Sequence, residues 1–347
     1  MISIKSYKGI YKVINFDFNN FLKKNFTQEC IFILDKKLIS LYPNLKKFIK
    51  NKNKLIITAN ERSKDFSMIT RYLTKFSEKK VNKNFKIYAI GGGVVQDISC
   101  FIASIYFRGI KWYFIPTTLE SQGDSCIGSK SSINLNGKKN QIGTFYPPSE
   151  IFLDTKFLGT LDNNLFWSGI GEMLHYFVFD RKDFNYYKLN YIKSKKNISI
   201  LKKIILKSLK IKKKFIEIDE FDKGKRKLLN YGHTFAHAIE AYTNYKIPHG
   251  ISVAHGINIA NYISYKKKFI SLKDYLEINS ITKIITQNFP LKKINETKFL
   301  KIIKSDKKAS SNSINLILLK KKKIFLHNQN FNSEFRNILR SYFKNNG

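Results

Sequence analysis

The chain of 347 residues contains six histidines, and four of them, His233, His237, His249 and His255, fall between positions 233 and 255. Neutral imidazole is the commonest metal ligand and the usual proton carrier near pH 7, so clustering of a scarce residue points to a metal or acid–base site. A single histidine satisfied in a core or at a helix end is the ordinary alternative, and the cluster weighs against it. His233 and His237, in Asn230-Tyr231-Gly232-His233-Thr234-Phe235-Ala236-His237, are one helical turn apart and share a face. Both could ligate one ion, or one could ligate while the other contacts substrate. His249 follows a short link ending in Pro248 and is expected to open the next helix. Catalytic zinc takes three protein ligands and keeps a position open, and a carboxylate is a natural third ligand. Glu172, in Gly171-Glu172-Met173 on a predicted helix, is the candidate.

Two other segments carry groups suited to a bound ligand. Gly91-Gly92-Gly93 stands between the strand-like run Phe85–Ile90 and the apolar helix-like run Val94–Phe107. Glycines at such a junction let a phosphate approach backbone N–H groups at a helix N-terminus. Asp97, one turn into that helix, is placed to orient a ribose or an amide. The triplet is not the spaced dinucleotide fingerprint and alone is equally a tight strand–helix turn. Residues Thr117–Phe145 form a long polar stretch with little periodicity, rich in different donors, among them Asp124, Lys130, Lys139 and Asn140. A loop of that length in a compact domain is usually functional or disordered. The apolar residues Leu119, Ile127, Ile133, Leu135, Ile142 and Phe145 argue for order, and the donors suit an anionic, hydroxylated ligand.

The elements that must position these groups divide the chain in two. Cys30–Leu34, Lys54–Thr58, Phe85–Ile90 and Trp112–Ile115 read as strands alternating with helices, which argues for a parallel α/β sheet. From about residue 160 the pattern turns helical, over 164–180, 197–217, 226–244, 250–267 and 295–305. The expected organisation is a Rossmann-like α/β dinucleotide-binding domain at 1–157, then a mainly α-helical metal- and substrate-binding domain at 158–347. The Lys320–Lys323 run is too short for a disordered tail.

Composition bounds the function classes. No apolar run reaches the roughly 20 residues needed to span a bilayer, and no signal peptide is read at the N-terminus. Cys30, Cys100 and Cys126 are far apart and unpaired in sequence, fitting reduced thiols in a cytoplasm. The net charge of +38 first suggests nucleic-acid binding. The excess is spread along the chain and carried mainly by Lys, beside abundant Asn, Ile and Phe, as drift toward A/T-rich codons would produce. Charge distribution, not total charge, marks a nucleic-acid site, so nucleic acid is not the expected partner. The lysine-laced segment Leu201–Phe215 has apolar residues at helical spacing and reads as an amphipathic helix with a solvated face, in preference to a membrane-surface helix.

Taken in order, these segments resemble the 3-dehydroquinate synthase family and the wider sugar phosphate cyclases over nearly the full length. The carrying residues are Gly91-Gly-Gly-Val-Val-Gln-Asp97, Phe107-Arg108-Gly109, Pro116-Thr-Thr118, Asp124-Ser125, Ser129-Lys130, Ile133-Asn134 and Gly137-Lys-Lys-Asn140. They continue through Ser168-Gly-Ile-Gly-Glu172, Asn230–His237, His249-Gly250 and Ser305-Asp-Lys-Lys308. The resemblance implies that Glu172, His233 and His249 ligate zinc or cobalt. It implies that Gly91, Gly92, Gly93, Val94, Asp97, Thr117 and Thr118 contact NAD, with Glu61, Lys64 and Lys139 beside it. Asp124, Lys130, Lys139, Asn140, Asn230 and His237 would surround a phosphorylated sugar acid, and Lys212 and Arg226 would hold its carboxylate. Arg108 would reach the phosphate pocket of a neighbouring subunit, implying a homodimer, and Lys320 matches a late basic contact. The implied reaction on 3-deoxy-D-arabino-heptulosonate 7-phosphate is transient oxidation by NAD, phosphate elimination, re-reduction, ring opening and aldol closure to 3-dehydroquinate.

The chain departs from the family pattern where a lysine usually stands three residues after the metal-binding glutamate; here it is His175. His175 is taken as a substrate contact with a lower pKa than the lysine it replaces. Ile251 follows His249-Gly250 where the family has Glu, Gln96 replaces a glycine, and Gly128-Ser129-Lys130-Ser131-Ser132 replaces Gly-Gly-Lys-Thr-Gly. These changes raise a related substrate such as sedoheptulose 7-phosphate as the second reading. A metal-dependent alcohol dehydrogenase would leave Lys130, Lys139 and Asn140 unexplained. A basic nucleic-acid-binding protein on a retired scaffold is opposed by the intact candidate metal triad.

Overall fold

The computed structural model describes residues 1–291, 294–305, 312–321 and 323–346, with side chains through 344. Asp306, Lys307 and Lys308 lie outside the described residues. The chain forms two compact units, residues 1–161 with 212–221, and 162–211 with 222–347.

The first unit is built on a seven-stranded sheet, ordered β1-β2-β9-β6-β5-β3-β4. Its strands are β1 (Ile2–Ser6), β2 (Gly9–Asn15), β3 (Cys30–Asp35), β4 (Asn53–Ile57), β5 (Lys86–Gly91), β6 (Lys111–Pro116) and β9 (Glu150–Leu153). The pairs among β2, β9, β6, β5, β3 and β4 are parallel, and β1 closes the edge antiparallel to β2. Residues 30–34 of β3 are all buried, the run of apolar side chains that a parallel strand covered on both faces requires. The four strands expected from the sequence are present. β9, and the hairpin of β1 and β2 at the edge, went unread because short strands with mixed patterning carry weak signals.

From β3 the chain moves outward to β4 and then returns to place β5 on the other side of β3. In open α/β sheets, ligands bind beyond the carboxyl ends of strands at such a switch point. Gly91 closes β5 there, and the Gly93–Ile105 helix follows at once. The polar stretch 117–145 is ordered, with a π-helical turn at Ser121–Ser125 and a small antiparallel pair, β7 (Ile133–Leu135) and β8 (Lys138–Ile142). The Lys212–Phe221 segment joins this unit because Glu217 and Glu220 accept the backbone N–H groups of Lys5 and Tyr7.

The second unit is mainly helical. Its central helix, His249–Lys266, is buried from Gly250 through Ser264, with only small or uncharged polar side chains, among them Ser252, Asn258 and Asn261, between its apolar ones. Around it lie the helices Asn163–Phe177, His233–Tyr242, Leu272–Thr286 and Ser333–Asn346 and a hairpin of β10 (Ser313–Lys320) and β11 (Lys323–Asn330). The hairpin was not among the elements read from the sequence of this mainly helical domain, because the apolar run of β10 does not by itself distinguish strand from helix. Lys320 and Lys323 pair where the two strands meet. The helix expected over 226–244 is broken. A 3-10 turn, Lys225–Asn230, ends before Gly232, whose φ of +83° suits glycine, and a new helix starts at His233.

On the Ile198–Ile218 helix, Leu201, Ile204, Ile205, Leu209 and Ile216 are buried while Lys203, Lys210 and Lys214 are exposed, the ordinary amphipathic pattern. Cys30, Cys100 and Cys126 are free and buried. Among the described residues no helix is long and apolar enough to cross a membrane.

Candidate functional site

The glycine turn of the first unit is held by backbone bonding. The Thr117 N–H donates to the Gly91 carbonyl at 2.9 Å, which ties the end of β6 to the end of β5. Gly92 caps the Gly93–Ile105 helix without a side-chain bond. A Cβ on Gly92 would press on Thr118 Cγ2 at 2.8 Å, whereas one on Gly93 would meet nothing within 4 Å. Open space beside the first helical N–H groups is what an approaching phosphate needs.

Asp97 and Lys64 form an ion pair of 2.7 Å next to this turn. Burial pushes the Asp97 carboxyl up to about 6, although Lys64 pulls it back. Burial would depress Lys64, but Asp97 and then Glu61 outweigh it and hold the ammonium form. Glu61 also lies 3.8 Å from Lys139 Nζ and accepts from Asn134 Nδ2 at 3.0 Å, while Asn134 Oδ1 accepts the Asn140 N–H. Glu61, Lys64, Asp97, Asn134, Lys139 and Asn140 therefore form one polar network. Asn140 sits at φ +57°, a conformation asparagine tolerates better than most residues.

Asp124 pairs with Lys212 at 2.6 Å, and the same ammonium donates to the Asp124 carbonyl. Gln96, the residue in place of a glycine, exchanges two bonds of 2.6 Å with Ser125 and so fixes the turn that carries Asp124. Val94 and Thr118 are partly exposed, Thr117 is buried, and Lys130 is exposed. Arg108 is exposed at φ +61°, beside Phe107 at φ +48°.

In the second unit the carboxylate of Glu172 gathers the histidines. His233 Nε2 lies 3.4 Å from Oε1, and His249 Nε2 lies 3.6 Å from Oε2. The far ring nitrogens are engaged: His233 Nδ1 is 3.4 Å from the Tyr231 carbonyl, and His249 Nδ1 is 3.3 Å from Glu240. Such partners fix the tautomer that leaves Nε2 able to ligate. Glu240 was missed in the sequence. Its signal was there, since 233, 237 and 240 follow the i, i+4, i+7 spacing of one helix face.

His237 is exposed, its ring 6.0 Å from those of both His233 and His249. Arg226 is buried and Asn230 partly so, both on the 3-10 turn before His233. Burial would raise the Glu172 carboxyl, yet His233, then His249 and His175, hold it well below the usual carboxylate range. Glu172 Oε2 is buried without a hydrogen-bond partner among the described residues. A buried carboxylate with imidazoles around it fits a borderline divalent ion such as zinc or cobalt.

Glycine sets the positions of these groups. A Cβ on Gly250 would overlap the Ser168 carbonyl, and one on Gly171 would overlap the Gly250 carbonyl. The Gly250 N–H also donates to Ser168 Oγ at 3.0 Å. The helices carrying Glu172 and His249 thus cross at backbone contact.

His255 does not join the cluster. It is buried, and its Nε2 lies 2.8 Å from the Phe289 carbonyl. Burial lowers its pKa from the ordinary 6.5 to about 4. Because the unfolded chain binds the proton more readily, this group's contribution to stability is intact above pH 6.5 and is lost as pH falls toward 4. The expected loss is about 3 kcal/mol across that window. Denaturation of His255→Gln alongside the parent chain at several pH values checks it: the variant should show a shallower acid slope.

The sequence matches the family models described as 3-dehydroquinate synthase N-terminal, over residues 54–168, and 3-dehydroquinate synthase C-terminal, over residues 169–309. It is 36% identical over 338 residues to the 3-dehydroquinate synthase of Pelagibacter ubique (strain HTCC1062), covering 92% of this chain and 90% of that protein. Among solved structures, it is similar to 2-deoxy-scyllo-inosose synthase complexed with carbaglucose-6-phosphate, NAD+ and Co2+, at TM-score 0.83 and 22% identity over 100% of both chains. It is also similar to 2-epi-5-epi-valiolone synthase from Streptomyces hygroscopicus subsp. jinggangensis with NAD+ and Zn2+ bound, at TM-score 0.84 and 18% identity over 96% of both chains. Those two likenesses establish the fold. With both halves matched in order and a relative above 30% identity along nearly the whole chain, the protein belongs to the 3-dehydroquinate synthase family.

Proposed function

We propose that the chain converts 3-deoxy-D-arabino-heptulosonate 7-phosphate to 3-dehydroquinate and phosphate, using NAD and a divalent metal. The observation that carries the reading is the Glu172, His233 and His249 cluster, in a chain whose relative of 36% identity is a 3-dehydroquinate synthase. Glu172, His233 and His249 hold zinc or cobalt, and the turn Gly91–Gly93, with Val94, Asp97, Thr117, Thr118, Glu61, Lys64 and Lys139 near it, holds NAD. When bound, NAD supplies the hydride acceptor and donor, and the metal acidifies a substrate hydroxyl.

The remaining polar residues bind and orient the substrate. Lys130, Lys139 and Asn140, with Arg108 from a second copy of the chain in a homodimer, compensate the phosphate charge as it leaves. Lys212 and Arg226 are cations suited to the substrate carboxylate, with Asp124 setting the position of the Lys212 ammonium. Asn230 and His237 serve the ring hydroxyls, and exposure of His237 keeps its imidazole accessible.

Incubating the protein with NAD, zinc and each heptulose phosphate, then measuring phosphate and identifying the carbocycle, tests the reading. Release from the carboxylated substrate is expected. Release only from sedoheptulose 7-phosphate would move the assignment to that cyclase.

The cofactor half has its own test. Gly93→Ala introduces a methyl group with no described atom within 4 Å beyond its own stretch of helix, so folding stability should hold or rise slightly. NAD affinity should fall by about tenfold or more, as expected for losing one close backbone–phosphate contact. Isothermal titration with NAD and thermal melting of the same variant separate the two effects. Unchanged affinity would remove the turn from the cofactor site.

A further inference from the structure

The geometry points to His175 as a further ligand of the divalent ion, in place of the substrate contact that its sequence position suggests. This rests on the reading that Glu172, His233 and His249 bind a metal, and it changes the makeup of that site. Glu172 and His175 are three residues apart on the Asn163–Phe177 helix and so project from one face. A Glu-x-x-His pair on a helix is a spacing that serves metals in helical bundles.

Ligand atoms from Glu172, His175 and His233 all lie within 4.8 Å of one another. His175 Nδ1 is 3.9 Å from Glu172 Oε1, the same oxygen that His233 Nε2 approaches to 3.4 Å. Zinc–nitrogen and zinc–oxygen bonds of about 2.0–2.2 Å place the ligand atoms of one tetrahedral ion roughly 3.4 Å apart. The observed separations are within side-chain adjustment of that value. The rings of His175 and His233 meet edge to face, centroids 5.1 Å apart at 84°, so that they do not stack over the point both nitrogens approach.

Burial groups His175 with the ligand His233: they are 1% and 9% exposed, whereas His237, the substrate contact, is exposed. A group that closes the inner side of a metal site need not be reachable from solvent. Three imidazoles and a carboxylate make four protein ligands, so substrate oxygen would bind by expansion to five-coordination, which zinc accepts. Slow metal exchange is the functional consequence.

X-ray absorption at the zinc edge on the full-length, zinc-loaded protein tests the assignment, because the outer-shell scattering counts imidazoles. Three are expected in the parent chain and two in both His175→Gln and His175→Lys. Zinc affinity by competition with a chromophoric chelator should fall by about tenfold or more in both variants. Circular dichroism identifies a variant that has not folded, and cobalt(II) absorption of the parent chain provides a measurement independent of either variant, through the intensity of its d–d bands. Two imidazoles in the parent chain, with zinc bound, would overturn the role of His175 and leave the cyclase reading standing. No zinc bound by the parent chain would overturn both.

Discussion

Alanine at position 233 is expected to abolish stoichiometric retention of zinc or cobalt and to lower phosphate release by about a thousandfold or more. The direction follows from position. His233 opens its helix with Nδ1 directed to the Tyr231 carbonyl and Nε2 to Glu172, so alanine removes a nitrogen and leaves the buried carboxylate facing a void. Elemental analysis of the purified variant and a phosphate-release assay give the two readouts. His255→Ala is the matched control from the same cluster in sequence. It should retain the metal while losing about 2–4 kcal/mol of stability, because the Phe289 carbonyl loses its partner in a buried site. Equal metal loss from both variants would mean that the ligand set is wrong.

Gly250→Ala is expected to be the most damaging single methyl group in the second unit. The added Cβ would overlap the Ser168 carbonyl and press on the Glu172 N–H at 2.8 Å, and neither is a flexible chain end. The only relief is separation of the helices Asn163–Phe177 and His249–Lys266, which opens core packing along both. A cost of about 3 kcal/mol or more is expected, at the upper end for overpacking. The same displacement carries Glu172 away from His249, so zinc affinity should fall together with the denaturation midpoint. Gly159→Ala has open space around its Cβ and should change neither. A Gly250→Ala chain that melts normally and binds zinc normally would show that the crossing does not position the site.

Much of the local geometry of the candidate site was legible because the signals were local. Gly91–Gly93 between a strand and a helix, Pro248 before His249, and the pair His233 and His237 at one turn each state a short-range geometry. The structure places the glycine turn and the helix start at His249 as those signals imply. The helix expected over 226–244 failed for an equally local reason, since Gly232 at φ +83° ends one segment and begins another. β10 was illegible because a short apolar run, Leu316–Leu319, satisfies strand and helix patterns alike. The exposed lysines of the Ile198–Ile218 helix agree with its reading as an amphipathic helix with a solvated face.

By itself the sequence determined the two-part architecture, the family, and the short set of groups from which a site could be drawn. All of these depend on residue types at short or ordered spacings. Only the tertiary structure decided which histidines meet Glu172. His255 is six residues after His249 on one helix yet turns to the Phe289 carbonyl, and Glu240 is recruited to orient His249. His175, outside the histidine cluster in sequence, brings a ring nitrogen within 4.8 Å of the ligand atoms of Glu172 and His233. Helical spacing sets which side chains share a face. The crossing at Gly171 and Gly250, closer than any side chain permits, sets what that face meets.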